Sequence, residues 1–476
     1  MTLPALHWSR ARAWQTNAAL IVIGFGLLLC AKQLVGEFEH FTIGFSVTSS
    51  SSVVLYGIAV LLVLTQPVNR YTFPIILAFA VAFRLVTVLH DPYLSSDIYR
   101  YAWDGVVQHA HISPYRYVPG DPALSFLRAP NQDLFDNINR RDYAHTIYPP
   151  GAQALFYLIT WLNPTVTFMK LVMVLFEGVT LYGLVQLLRE FGLRREQSLL
   201  YAWSPLLVWE IGSSGHLDSV AMAWFVLALL ARYRRWPIAT GVFLALAILT
   251  KLYPLLLLPA LFRRGEYKMP ATMVAVIAFF YACYSSVGLR VFGFLGGYVQ
   301  EEGMKSGERY FFLELMHHTP GLRWMSAGFY LALCAVALAA LCLWCWQTCC
   351  RGVATPAQTK AFGLPQRADF LMPAFSLALA LMLLFSPHYP WYVAWLIPFF
   401  TLVPGLGVFT YVNMLFYLCT TAIAVGSGPE QFLLNKILYA TTLLAIVLEI
   451  VLRRWPVHRR LFDFSASSKR ADGTSA

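Results

Sequence analysis

Apolar stretches of roughly 17–25 residues recur almost from end to end of this chain, each long enough to cross about 30 Å of hydrocarbon as a helix. Of 476 residues, 58% are hydrophobic and 12% charged, and mean hydropathy is +0.59, whereas a soluble domain carries about a quarter charged residues. A water-soluble core would need polar punctuation about every dozen residues. Alternating strand patterns are absent, which leaves helices as the spanning element, because lipid offers no partner to an open backbone. The expected fold class is all-α, a polytopic helical membrane bundle.

The formal charge of +11 would suggest nucleic acid in a soluble protein. Here the cations sit in short loops: Arg10 with Arg12, Arg189 with Arg194 and Arg195, Arg232 with Arg234 and Arg235, Arg263 with Arg264, and the run from Arg453 to Arg460. That is the positive-inside pattern, so the expected partner of these clusters is anionic membrane lipid and not nucleic acid. Starting inside, spans are expected near 15–34, 51–67 and 73–89, a half-inserted helix at 151–162, and a span at 165–189. Further spans follow near 197–213, 217–233, 237–251, 253–263, 269–286, 321–346, 368–386, 391–405, 407–426 and 432–452, about fourteen with both termini inside. Residues 1–464 then form one domain, followed by a flexible cytoplasmic tail at 465–476. Cysteine spacing gives no disulfide framework; Cys345 and Cys349 read as membrane-helix cysteines or palmitoylation sites.

This topology puts every unusual polar motif on the outer face. The large first outer loop, 90–148, carries Asp97, Tyr99, Arg100, Tyr101, Trp103 and Asp104, then Tyr115 and Tyr148. Carboxylates, a guanidinium and aromatic faces at a membrane surface suit a sugar or a lipid phosphate. Asp97, at the edge of the loop, is placed to accept a proton from an attacking hydroxyl; if the segment is helical, Asp104 lies about two turns further along the same face. His216 and Asp218 are expected at the water boundary of a tight turn, but their spacing matches no strong metal motif, so neither a metal nor another cofactor is assigned. Lys251, beside Tyr253 and Pro254, either snorkels or neutralises a lipid phosphate. Arg290, Lys305 and Arg309 in a second outer loop, 287–320, read as solvated cations that could do the same. His388 and Tyr392 lie in an aromatic outer turn. Glu177 and Glu210, inside spans, are expected to hydrogen-bond within the bundle or serve a proton path.

Taken in order, Ser96-Asp97-Ile98-Tyr99-Arg100-Tyr101, Trp103-Asp104-Gly105, Ser113-Pro114-Tyr115, Tyr148-Pro149-Pro150, Gly215-His216-Leu217-Asp218, Lys251-Leu252-Tyr253-Pro254 and Pro390-Trp391-Tyr392 resemble the GT-C superfamily of membrane glycosyltransferases. The likeness is narrowest to bacterial polyprenol-phosphate-mannose-dependent alpha-mannosyltransferases and the related GPI mannosyltransferase. It implies a GT-C bundle and transfer of a hexose, mannose above all, with inversion, from a polyprenyl-phosphate donor to a lipid or glycan acceptor. It also implies a site on the outer, periplasmic side of a bacterial plasma membrane and assigns Asp97 as the essential aspartate. Relatives often carry an acidic pair where this chain has Ser96-Asp97, which leaves a single base. The competing class is a transporter or lipid-sugar flippase with Glu177 and Glu210 as coupling acids.

Overall fold

The computed structural model describes residues 3–36, 43–92, 94–351, 364–387, 389–403, 407, 410–412, 414–415 and 430–454. The expected span at 407–426 lies mostly outside these residues, and His388 and the tail at 465–476 lie wholly outside. Helices make up the regular structure, with no strand among the described residues.

Five helices there are long and apolar enough to cross a membrane: Arg12–Val35, Gly44–Thr65, Val166–Glu190, Ala327–Cys350 and Gln366–Phe385. Two bent pairs bring the number to seven, Pro205–Ser213 with Asp218–Tyr233 at 119° and Lys268–Cys283 with Ser285–Glu301 at 109°. The expectation of about fourteen spans therefore exceeds what helix length and apolarity support. Part of the difference lies in continuous but short helices, Thr72–Val88 and Pro237–Thr250, and part in segments that are apolar but broken. The stretch expected to span at 197–213 divides into the short helices Leu199–Ala202 and Pro205–Leu207 and a wide π turn, Val208–Ser213. Residues 253–263 form a 3-10 turn and a four-residue helix, and 391–405 the pieces Trp391–Ala394 and Ile397–Leu402. Pro205, Pro254, Pro259 and Pro398 each remove an amide donor, which ends or starts a helix at these breaks.

Three packing relations place the outer loop. The expected half-inserted segment is the helix Pro150–Leu162. After Asn163-Pro164 the chain re-enters a helix at Val166, where Thr165 caps the start by accepting from Phe168 N at 3.3 Å. Within the loop, Asp97–His109 is a helix lying against Pro150–Leu162. A Cβ on Gly105 would meet Thr160 Oγ1 at 2.3 Å and Phe156 O at 2.7 Å, so only glycine permits this backbone approach. Tyr101 stacks on Phe156 at 4.8 Å and meets Tyr148 edge-on at 4.9 Å. Asp218–Tyr233 and Pro237–Thr250 form a helical hairpin beside these elements.

Candidate active site

Asp97 is the first residue of its helix, where a carboxylate is favoured by the helix dipole. It is half-buried. Asn139 Nδ2 donates to Asp97 Oδ1 at 2.7 Å, which fixes the carboxylate from across the loop. The next residue, Arg140, holds φ +54, in a left-handed region that disfavours side chains other than glycine. Its Nε lies 2.7 Å from Glu301 Oε2, in a partly exposed ion pair that ties the 90–148 loop to the 287–320 segment. Arg140 and Tyr389 are close enough for their charges to interact, and both residues feel the Asp97 charge. Burial raises the Tyr389 phenol above its ordinary range, with Glu302 adding to the shift.

One turn and a half along the same helix the environment changes. Arg100 Nε donates to Asp104 Oδ1 at 2.7 Å, and its Nη1 to Ala144 O at 3.0 Å. Gln153 Nε2 donates to Asp104 Oδ2 at 2.8 Å and to Thr146 Oγ1 at 2.8 Å. Asp104 is 1% exposed. Trp103 is buried in a separate apolar cluster with Val107, Leu124 and Ile138, and buried Tyr115 donates to Tyr148 O at 2.7 Å. These sequence-selected residues brace the loop from inside.

His216 and Asp218, expected at the water boundary, are buried. The reason is the π turn Val208–Ser213, which with Gly215 at φ +72 folds the chain sharply back into the protein. A Cβ on Gly215 would meet Ile98 Cδ1 at 2.3 Å, so this turn presses on the residue after Asp97. Asp218 Oδ2 accepts from Lys251 Nζ at 2.6 Å; Lys251 is thus the partner of a carboxylate and not the free cation expected. Its ammonium also lies 5.8 Å from the Tyr392 ring centroid, and Tyr392 shares a hydrogen bond with Tyr298. His216 stacks on Trp391 at 4.3 Å, which stacks on Tyr389 at 4.3 Å. His216 Nε2 is 3.1 Å from Glu210 Oε2, in ion-pair range but without hydrogen-bond geometry. Ser213 Oγ, Ser214 Oγ, His216 Nδ1, Asp218 Oδ1 and Tyr253 Oη are buried with no protein hydrogen-bond partner. Such atoms each cost about 1–3 kcal/mol, and their concentration in one turn marks a place prepared to hold polar groups.

Buried Tyr101 joins the two halves. Its phenol is held well above the ordinary range by burial first and then by the charges of Asp97 and Asp218. Two further buried acids are tied elsewhere: Glu177 to Arg84 at 2.9 Å, and Glu302 to Arg309 at 3.0 Å. Arg309 is thus not the solvated loop cation expected. Among the described residues, no group of three or more His, Cys, Asp or Glu side chains could hold a metal ion.

Asn139, Arg140 and Glu301 escape sequence reasoning, since nothing in Asn139-Arg140-Arg141 announces a left-handed arginine beside a carboxylate. The acidic-basic complement of the two loops, Arg140 against Glu301, was the available signal.

An all-helical membrane protein with a half-open carboxylate, Asp97, near two buried acids that are paired, Asp104 and Asp218, has the make-up of a membrane transferase acting on polar groups. Two family matches define it further. The family described as alpha-(1->6)-mannopyranosyltransferase, N-terminal domain, matches residues 16–263, and glycosyltransferase family 87 matches residues 146–387. The chain belongs to these glycosyltransferase families and is a GT-C mannosyltransferase-like integral membrane protein, as the resemblance in its motifs implied. No curated protein and no solved structure matches it.

Proposed function

We propose that the chain moves mannose from a polyprenyl-phosphate donor to a lipid or glycan hydroxyl at the outer face of a bacterial plasma membrane, with inversion. The observation that carries this reading is Asp97, half-open and oriented by Asn139 while neighbouring acids are buried in ion pairs. Asp97 takes the acceptor proton as the acceptor oxygen bonds to the anomeric carbon. The bond from that carbon to the phosphate oxygen breaks on the opposite face. Phosphate leaves as a stable anion, so one carboxylate suffices and the absence of an acid at Ser96 is no obstacle.

Arg140 is the cation for that phosphate, supported by Lys251 at the rear of the site. The partly exposed Arg140–Glu301 pair can exchange its carboxylate for phosphate at little cost, whereas Lys251 is already matched to Asp218. Tyr389, Trp391 and Tyr392 supply faces for the sugar. The bent and broken helices fit a GT-C bundle that forms one domain over 1–464, with non-helical backbone tolerated where it lines the site. A transporter would need free intramembrane acids, and Glu177 is held in a buried pair with Arg84.

The test is direct. Purified protein, given a panel of polyprenyl-phosphate sugars and an acceptor lipid extract, should form a product heavier by one hexose from the mannosyl donor. Asp97→Asn should abolish it without changing yield or thermal unfolding; wild-type turnover by that variant would overturn the assignment.

A further inference from the structure

The helix carrying Asp218 at its start ends at Tyr233 after 16 residues, about 22 Å away at 1.5 Å per residue. At that far end Arg232, Arg235, Trp236, Leu261, Arg263 and Glu266 line a crevice between two helix ends and the start of a third. Arg232 is committed to the fold, donating to Leu261 O at 2.9 Å and lying 3.3 Å from Asp369. Glu266 caps the next helix, accepting from Lys268 N at 3.0 Å. Arg235 and Arg263 make no side-chain hydrogen bond or ion pair among the described residues.

Arg235 also occupies an improbable backbone position. It closes the helix at φ +61, with Trp236 N bonded to Ala231 O at 2.9 Å, the place where glycine or asparagine normally stands. A guanidinium held there against its backbone preference, facing the same crevice as a second unpaired guanidinium, points to an anion. Trp236 beside them is 53% exposed, as an indole at a membrane–water boundary is.

We propose that this crevice seats the phosphate of an anionic lipid headgroup, at the end of the bundle opposite the candidate active site. Arg235 and Arg263 grip the phosphate oxygens, and Trp236 lies against the glycerol and upper acyl region. The proposal does not depend on the sugar-transfer reading, so its test reads lipid retention and not turnover.

Native mass spectrometry of the purified, delipidated protein should show retention of phosphatidylglycerol over phosphatidylcholine. The variant Arg235→Gly with Arg263→Gln should lose that retention by about tenfold or more, while its melting temperature without lipid stays level or rises, because glycine relieves the positive φ. Equal retention by this variant, or equal binding of phosphatidylcholine by the wild type, would overturn the site. Inorganic phosphate separates the two sources of the anion. Failure to displace the lipid supports a headgroup site, and full displacement would mean a free phosphate and remove the lipid from the assignment.

Discussion

Asp97 and Asp104 stand seven residues apart on one helix and live in opposite environments. Asp97 is half-open, at the helix start, and held by a neutral amide. Asp104 is sealed, and both its oxygens are taken by Arg100 and Gln153. A carboxylate that must gain and lose a proton needs access and a tolerant partner, whereas one that fixes a loop needs a permanent counter-charge. On the proposed reading, the contrast separates chemistry from scaffolding within two turns of helix. The sealed pair offers Arg100 no exchangeable partner, but the exposed Arg140–Glu301 pair beside Asp97 can open for an anion.

The strongest test of the contrast exchanges the two acids' fates. Asp97→Asn should lower turnover by about 10²- to 10⁴-fold and leave the melting temperature nearly unchanged. Asp104→Asn should do the reverse. It strands the buried Arg100 charge, at a cost of about 3–5 kcal/mol of stability, yet the fraction that folds should still transfer sugar. Thermal unfolding and per-molecule activity on the same preparations decide the matter; similar profiles for the two variants would erase the distinction.

How far this contrast was legible in the sequence depends on range. The all-helical membrane class followed from composition, and the short helix at Pro150–Leu162 and the helical hairpin followed from local apolar pattern and proline position, whereas the helix at Asp97 was open in the sequence. The span count did not, because hydropathy cannot tell a continuous helix from an equally apolar one broken at Pro205 or Pro254. Nor did the burial of His216 and Asp218, which depends on a π turn and a left-handed glycine packing against Ile98. Lys251 could be singled out, but its partner Asp218 lies 33 positions away, and the pairing exists only once the hairpin closes. Arg140 is the extreme case, since its role rests on a backbone angle and on Glu301 in another loop.

A finer test concerns that arginine. If Arg140 receives phosphate, Arg140→Gln should reduce kcat/KM for the lipid donor by about 10–100-fold. Glu301→Gln, which frees the guanidinium, should lower the donor KM. If the pair only staples the two outer loops, both substitutions should impair the enzyme alike and both should lower the melting temperature. The two variants thus separate an exchangeable ion pair from a sealed one of the Arg100 kind.

The smallest effect comes from His145, beside the sealed pair. Burial lowers its affinity for a proton, and the charges of Arg100 and Arg290 lower it further. Its Nδ1 is buried without a hydrogen-bond partner. With the folded-state value below the unfolded one of about 6.5, the unfolded chain binds more protons in the interval between them. Stability is therefore full above about pH 6.5 and declines as pH falls through that interval. The ring is half-buried and part of the shift comes from the charges of Arg100 and Arg290, so the loss is modest and shrinks with added salt. Melting temperatures from pH 7.5 to 5.5 should slope more steeply for the wild type than for His145→Asn. Equal slopes would mean that neither burial nor the Arg100 and Arg290 charges hold the ring's proton affinity below its unfolded value.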